Sequence, residues 1–197
     1  MALDPLCLGH WPQQDVGPRL AACIAAVPQE INDALAFGKP DMLGLNLYNA
    51  QPARMGEAGP EYVRRPTGYP RTALGWPVEP DSLNWGPCFI AQRYHLPLYI
   101  TENGLSCNDK IYLDGKVHDA DRIDFTARYL QCLAKGIGRG ADVRGYFHWS
   151  LIDNFEWYSG YNERFGLYFI DYATGDRIPK DSAFWYARTA AANGANL

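Results

Sequence analysis

The sequence predicts an α/β fold built from parallel βαβ units, on three observations. Segments with helical periodicity alternate with short apolar runs, in the order helix, strand, helix, strand, helix, strand, helix. The runs keep polar residues near their ends, as strands buried on both faces do. Connections of this length between parallel strands are helical, right-handed crossovers. Both a doubly wound sheet and a barrel fit this order. No Gly-rich phosphate loop follows any strand, so a nucleotide-binding version is unsupported.

Taken in order, residues 1–27 are Pro-rich and weakly periodic. Pro28 to Phe37 predicts a helix with Ile31, Ala34 and Leu35 on one face, closed by Gly38. Asp41 to Tyr48 predicts a buried strand in which Gly44 permits close approach of a neighbour. Residues 49–80 hold many Gly and Pro and predict a long functional loop, with Trp76 as pocket lining or loop anchor. Ser82–Tyr94 predicts a helix interrupted by Gly86-Pro87. Asp121–Lys135 predicts an amphipathic helix with Ile123, Leu130, Leu133 and Ile137 on one face, and Gly136 and Gly138 at its exit. Val143–Ser150 predicts a third strand, Phe165–Ile170 a small hairpin, and Ser182–Ala192 a last helix capped by Asp181 or Ser182.

The second strand of the series ends on the most telling stretch, Pro97-Leu98-Tyr99-Ile100-Thr101-Glu102-Asn103-Gly104. Pro97 opens it where a missing N–H costs little, and Asn103-Gly104 closes it. Glu102 therefore stands at the C-terminal tip of a buried strand. A carboxylate there is hydrogen-bonded, ion-paired or catalytic, because burying it otherwise is expensive. A salt bridge to a neighbouring loop is the alternative to chemistry.

The 197 residues suffice for one domain with a core, or for part of a larger one. A net charge of −4 implies no nucleic-acid partner. No apolar run approaches the roughly 18 residues that a membrane span needs, and the Met1-Ala2-Leu3-Asp4-Pro5 start is not a signal peptide. Five scattered cysteines without metal-ligand spacing, and no Asn-x-Ser/Thr sequon, predict a reduced cytoplasmic protein without metal or cofactor. The 6 Trp, 13 Tyr and 8 Phe furnish a large aromatic core, with some left for a stacking surface such as a sugar needs.

Two motifs, Tyr99-Ile100-Thr101-Glu102-Asn103-Gly104 and Gly145-Tyr146-Phe147-His148-Trp149-Ser150-Leu151-Ile152-Asp153-Asn154-Phe155-Glu156-Trp157, resemble those of family 1 glycoside hydrolases, the β-glucosidases in particular. Matching stretches run from Asp4-Pro5 to Trp185-Tyr186. The resemblance implies that residues 1–197 form the C-terminal part of a (β/α)8 TIM barrel, strands six to eight with their helices, the N-terminal half being absent. It implies a retaining exo-β-glycosidase acting on a β-glucoside or small β-linked oligosaccharide. It also implies that the chain needs the missing half, or self-association, to cover its exposed edges.

Residue by residue, the resemblance makes Glu102 the nucleophile and Tyr48 the phenol that steadies its ionised form, with Asn46 beside it. Glu156 and Trp157 resemble the pair that binds the hydroxyls of the nonreducing sugar. Trp149 is similar to the platform under that sugar, Phe165 to an aromatic closing its rim, and Trp76 to the aromatic on the aglycone side. Glu156 would repel a 6-phosphate, which disfavours phospho-sugars. Two departures matter. Leu47 stands where the family usually has Tyr, and the family's acid/base motif ending in Asn-Glu-Pro is missing, Asn162-Glu163-Arg164 being only a look-alike. Without an acid/base the chain alone is expected to be inactive, at most a non-catalytic glycan binder. His10, His95 and His118 are expected at the surface and His148 near the barrel wall. Asp153 and Asn154 are expected to fix their loop, and Arg122 to make a helix-start ion pair, worth little if exposed.

Overall fold

Hydrophobic runs flanked by helices fold here into one parallel sheet with helices against one face. The computed structural model describes residues 3–12 and 16–197; the Met1-Ala2 start lies outside them. Three strands, β1 (Leu43–Asn46), β4 (Leu98–Asn103) and β5 (Val143–His148), form a parallel sheet in the order β1-β4-β5. Between them run α4 (Ser82–Tyr94) and α5 (Ala120–Gly138), the two βα crossovers that the alternation predicts. Leu83 of α4, and Phe125, Tyr129 and Leu133 of α5, pack on Ile100, with Leu45, Leu47, Val143 and Tyr146 around them. Each of the fully buried ones contributes about 1.5–3 kcal/mol by leaving water. The opposite face of the sheet carries Gly44, Asn46, Thr101 and Phe147, all exposed, the last at 58%.

Several expectations are corrected. Residues 1–27 hold two helices, α1 (Asp4–Leu8) and α2 (Pro18–Ala25), each opened by a proline near its first position. Helix α3 (Gln29–Phe37) forms as predicted, yet none of its residues is buried. The long loop contains a hairpin, β2 (Ala53–Gly56) with β3 (Gly59–Tyr62). Helix α4 runs through Gly86-Pro87 without a break. Pro87 gives up one hydrogen bond, and Gly86 lets the helix sit on Leu47, whose Cδ2 a Cβ would meet at 2.7 Å. Helix α5 likewise continues through Gly136, where a Cβ would lie 2.9 Å from the Asn84 carbonyl of α4. Its buried stripe is Arg122, Phe125, Thr126, Tyr129, Cys132, Leu133 and Gly136; of the predicted face only Leu133 is buried. The hairpin near residue 168 pairs β6 (Tyr168–Ile170) with β7 (Arg177–Pro179). The last helix, α6 (Asp181–Ala191), has Lys180 at its N-cap and no side-chain cap.

Arg122 makes the expected helix-start ion pair, with Asp119, but at 1% exposure it is buried, so this is not the weak, exposed kind. Its guanidinium bonds Asp119, Asp109 (2.7 Å) and the Arg164 carbonyl (2.8 Å). Lys180 Nζ, also buried, donates to Asp109 (2.6 Å) and Asp153 (2.8 Å), and Arg164 donates to Asp153 (2.6 Å). Asp119 accepts from the Ser182 amide at 2.8 Å. Burial and the nearby Arg122 charge pull the Lys180 ammonium down, while Asp109 and Asp153 oppose them. Three cations thus meet three carboxylates, binding the loop after β4, the loop after β5 and the start of α6. Removing one member of such a buried set leaves uncompensated charge. Lys180→Met is therefore expected to cost about 3–5 kcal/mol in equilibrium denaturation; a loss below about 1 kcal/mol would mean the network does not hold these loops.

Candidate active site

The C-terminal ends of the three parallel strands bring together most of the residues singled out from the sequence. Glu102, next to the last residue of β4, is partly buried, and the Tyr48 hydroxyl donates to its Oε2 at 2.8 Å. Tyr48 arrives two residues after β1, where Leu47 N–H donates to the Glu102 carbonyl at 2.9 Å. Burial first, then the bond to Glu102 and the charges of Glu102 and Glu156, push the Tyr48 phenol far above its usual range, so it stays a donor. The Trp76 ring meets Tyr48 edge-on at 5.1 Å. Phe165 lies 6.5 Å from Tyr48 and 6.2 Å from Trp76. Phe165 itself is buried, at 2% exposure.

The loop after β5 supplies the remaining groups. Trp149 follows the strand directly, its N–H bonded to the Asn103 carbonyl at 2.8 Å. Gly104 is required beside it, because a Cβ there would stand 1.9 Å from the Trp149 carbonyl oxygen. Asp153 fixes the loop, accepting from Gly166 N–H (2.9 Å) as well as from Lys180 and Arg164. Asn154 donates to Ser150 Oγ at 3.2 Å. Glu156 precedes a 3₁₀ turn, Trp157–Ser159. Burial raises the Glu156 pKa, the Trp149 side chain opposes that by donating to the carboxylate, and the Glu102 charge adds to the rise. Its Oε2 is buried without a well-formed hydrogen bond.

Two predicted residues stand apart. Asn46 accepts from Thr101 Oγ1 at 2.7 Å on the open sheet face instead of touching Glu102. Trp157, with positive φ (43°), projects from its turn at 81% exposure. His10, His95 and His118 are exposed, as expected, whereas the His148 ring is enclosed and burial pushes its pKa down to about 3, keeping it neutral. Sequence reasoning missed Tyr129, whose buried hydroxyl accepts from Glu79 N–H (2.7 Å) and donates to the Tyr48 carbonyl (3.0 Å). A helical position carries no signal of such a bridge. It also missed the side chains of Asn103 and Tyr146, which meet at 2.9 Å. A cavity of about 680 Å³ on the helix side, lined by Thr72, Ser106, Cys107, Asp109 and Phe125 among others, includes neither Glu102 nor Glu156.

Chemically, the arrangement offers one carboxylate steadied by a phenol, a second carboxylate beside Trp149, and aromatic faces around them. That set suits a neutral, hydroxyl-rich ligand with an apolar face. Among the described residues no group of His, Cys, Asp and Glu could hold a metal ion, and no helix is long and apolar enough to cross a membrane.

Comparison with known proteins agrees with this chemistry. The family model described as glycosyl hydrolase family 1 matches residues 1–195. The chain is 37% identical to a bifunctional β-D-glucosidase/β-D-fucosidase of Bifidobacterium breve, over 98% of this chain and 46% of that protein. It is 40% identical to β-glucosidase A of Thermotoga maritima, over 98% of this chain and 43% of that one. A solved family 1 β-glucosidase from Thermotoga maritima superposes with a TM-score of 0.81 at 36% identity, covering 98% of this chain and 43% of its own; the enzyme is also known in complex with deoxynojirimycin. The chain thus spans less than half the length of these relatives.

Proposed function

This chain belongs to glycosyl hydrolase family 1, and on that premise we propose that it supplies the nucleophile and much of the sugar site of a retaining exo-β-glycosidase that cleaves terminal β-D-glucosyl residues. In this reading β1, β4 and β5 are strands six, seven and eight of an eight-stranded barrel, and residues 1–197 are its C-terminal part. The exposed sheet face with Gly44, Asn46, Thr101 and Phe147 supports it, since a barrel would cover that face with its other strands. The five unpaired cysteines support a reducing, cytoplasmic setting. We call the chain joined to the remaining strands the assembled barrel.

The observation that carries the assignment is the Tyr48–Glu102 hydrogen bond of 2.8 Å at the C-terminal end of a parallel strand, where barrel enzymes place their chemistry. Glu102 attacks the anomeric carbon, and the bond from that carbon to the aglycone oxygen breaks. The departing oxygen takes a proton from a carboxylic acid on another strand. Water then replaces Glu102, its proton returning to that same group, and the sugar leaves with retained configuration. As Glu102 bonds to the sugar its charge disappears, and the Tyr48 phenol is free to follow the electron density. Glu156 and Trp157 hold sugar hydroxyls, Trp149 lies under the ring, Trp76 flanks the aglycone, and Asn46 and Phe165 support the site.

The absence of an Asn-Glu-Pro motif favours a second reading for the chain alone: an inert or merely glycan-binding portion. An activated aryl β-glucoside separates the cases, because its phenol departs with little acid assistance. The assembled barrel is expected to turn over continuously, and the chain alone to release at most one phenol per Glu102. Continuous turnover by the chain alone would overturn the placement of the acid/base elsewhere. No release from the assembled barrel would overturn the glycosidase assignment.

A further inference from the structure

Resting on Glu102 as nucleophile, we propose that Asn103 and Tyr146 form a brace that sets the aim of Glu102, making both of them positioning residues for the reaction. Strand β4 carries one residue more than either neighbour at this place. Leu45 and Asn46 of β1 face Ile100 and Glu102, and Tyr146 and His148 of β5 face Ile100 and Asn103. Two residues thus oppose one on both sides, a bulge at Thr101-Glu102. Strict alternation would group Glu102 with Leu98 and Ile100, which are fully buried on the side of the helices. The bulge releases it from that face and lets it meet the Tyr48 phenol.

A bulge gives up ladder bonds on the strand it bends. Here side chains take their place. Asn103 Nδ2 donates to the Leu47 carbonyl at 2.9 Å, and the Tyr146 hydroxyl donates to Asn103 Oδ1 at 2.9 Å. A carbonyl partner can only accept, so the amide has one orientation and both of its ends are engaged. Asn103 is 0% exposed and cannot reach a sugar. It follows Glu102 in sequence and Leu47 precedes Tyr48, so the brace acts on both ends of the Tyr48–Glu102 bond. Its Tyr146 arm comes from β5, whose next residue is Trp149 beyond His148, linking nucleophile and sugar platform through one amide.

The test uses Tyr146→Phe and Asn103→Asp in the assembled barrel. Tyr146→Phe removes one hydroxyl and keeps the ring. It is expected to slow kcat for an aryl β-glucoside, and inactivation by a 2-deoxy-2-fluoroglucoside, by roughly tenfold each, because a small misplacement of reacting atoms is costly; KM is expected to stay within about twofold, since no sugar contact is touched. Asn103→Asp puts an acceptor against the Leu47 carbonyl, and only its protonated form can donate there. Its kcat per folded protein, relative to the parent at the same pH, is therefore expected to rise as pH falls, whereas a purely structural lesion would change only the folded fraction. If the fluoroglucoside labels a residue other than Glu102, the underlying assignment fails. If Glu102 is labelled but Tyr146→Phe keeps the parent kcat and labelling rate while only melting lower, the brace is overturned. Should Asn103→Asp not fold, Tyr146→Phe alone decides.

Discussion

Replacing Glu102 by Gln in the assembled barrel is expected to cut kcat for an aryl β-glucoside by roughly 10⁵-fold or more, the scale on which losing a nucleophile acts. The amide has nearly the same shape, and Tyr48 can still donate to its oxygen, so the site should keep its form and bind the sugar. What disappears is the anionic oxygen that bonds to the anomeric carbon. Steady-state rates beside an unchanged melting curve check this. Activity within tenfold of the parent would leave Glu102 as no more than the partner of Tyr48.

The second large effect belongs to Glu156. Hydrogen bonds to a charged acceptor are worth about 1.5–3 kcal/mol each, and in the proposed site this carboxylate accepts two sugar hydroxyls. Gln retains one acceptor without the charge, so Glu156→Gln is expected to lower kcat/KM for a β-glucoside by about 10²–10³-fold. Burial and the charge of Glu102 raise the Glu156 pKa, against the Trp149 bond. The charged form that binds sugar is therefore present above that raised pKa and is lost as pH falls through it. The acid limb of kcat/KM should lie above the pH where an unperturbed Glu, at 4.5, would place it, and Glu156→Gln should remove this contribution. An unchanged acid limb in the Gln variant would detach Glu156 from sugar binding.

Glu102 was legible because its strand announces itself: an apolar run of strand length ending in a turn leaves a carboxylate at the tip. The meeting of Tyr48, Trp76 and Phe165 followed from the family resemblance, not from spacing, since they lie in three separate segments. Other features leave no trace in a periodicity. The buried stripe of α5 includes Arg122, made tolerable by Asp109 and Asp119, so counting apolar residues turned the helix toward Ile137, which is exposed. Gly86-Pro87 reads as a break, yet it packs on Leu47 inside a continuous α4. The β2–β3 hairpin hides among Gly and Pro because its outward side chains, Arg54, Met55 and Tyr62, are all exposed and give no alternation. The bulge at Thr101-Glu102 is the most consequential of these. One extra residue reverses the parity of a strand, and only the register against both neighbours reveals it. The position of Glu102 could be read from the chain, but its aim could not.

The central claim is that the Glu102 carboxylate bonds to an anomeric carbon. Trapping the assembled barrel with a 2-deoxy-2-fluoroglucoside bearing a good leaving group, followed by peptide mapping, tests it directly. The expected result is one sugar per protein, on Glu102, in the peptide that runs through Thr101-Glu102-Asn103. A sugar found on any other residue, or full inactivation with that peptide unmodified, would contradict it.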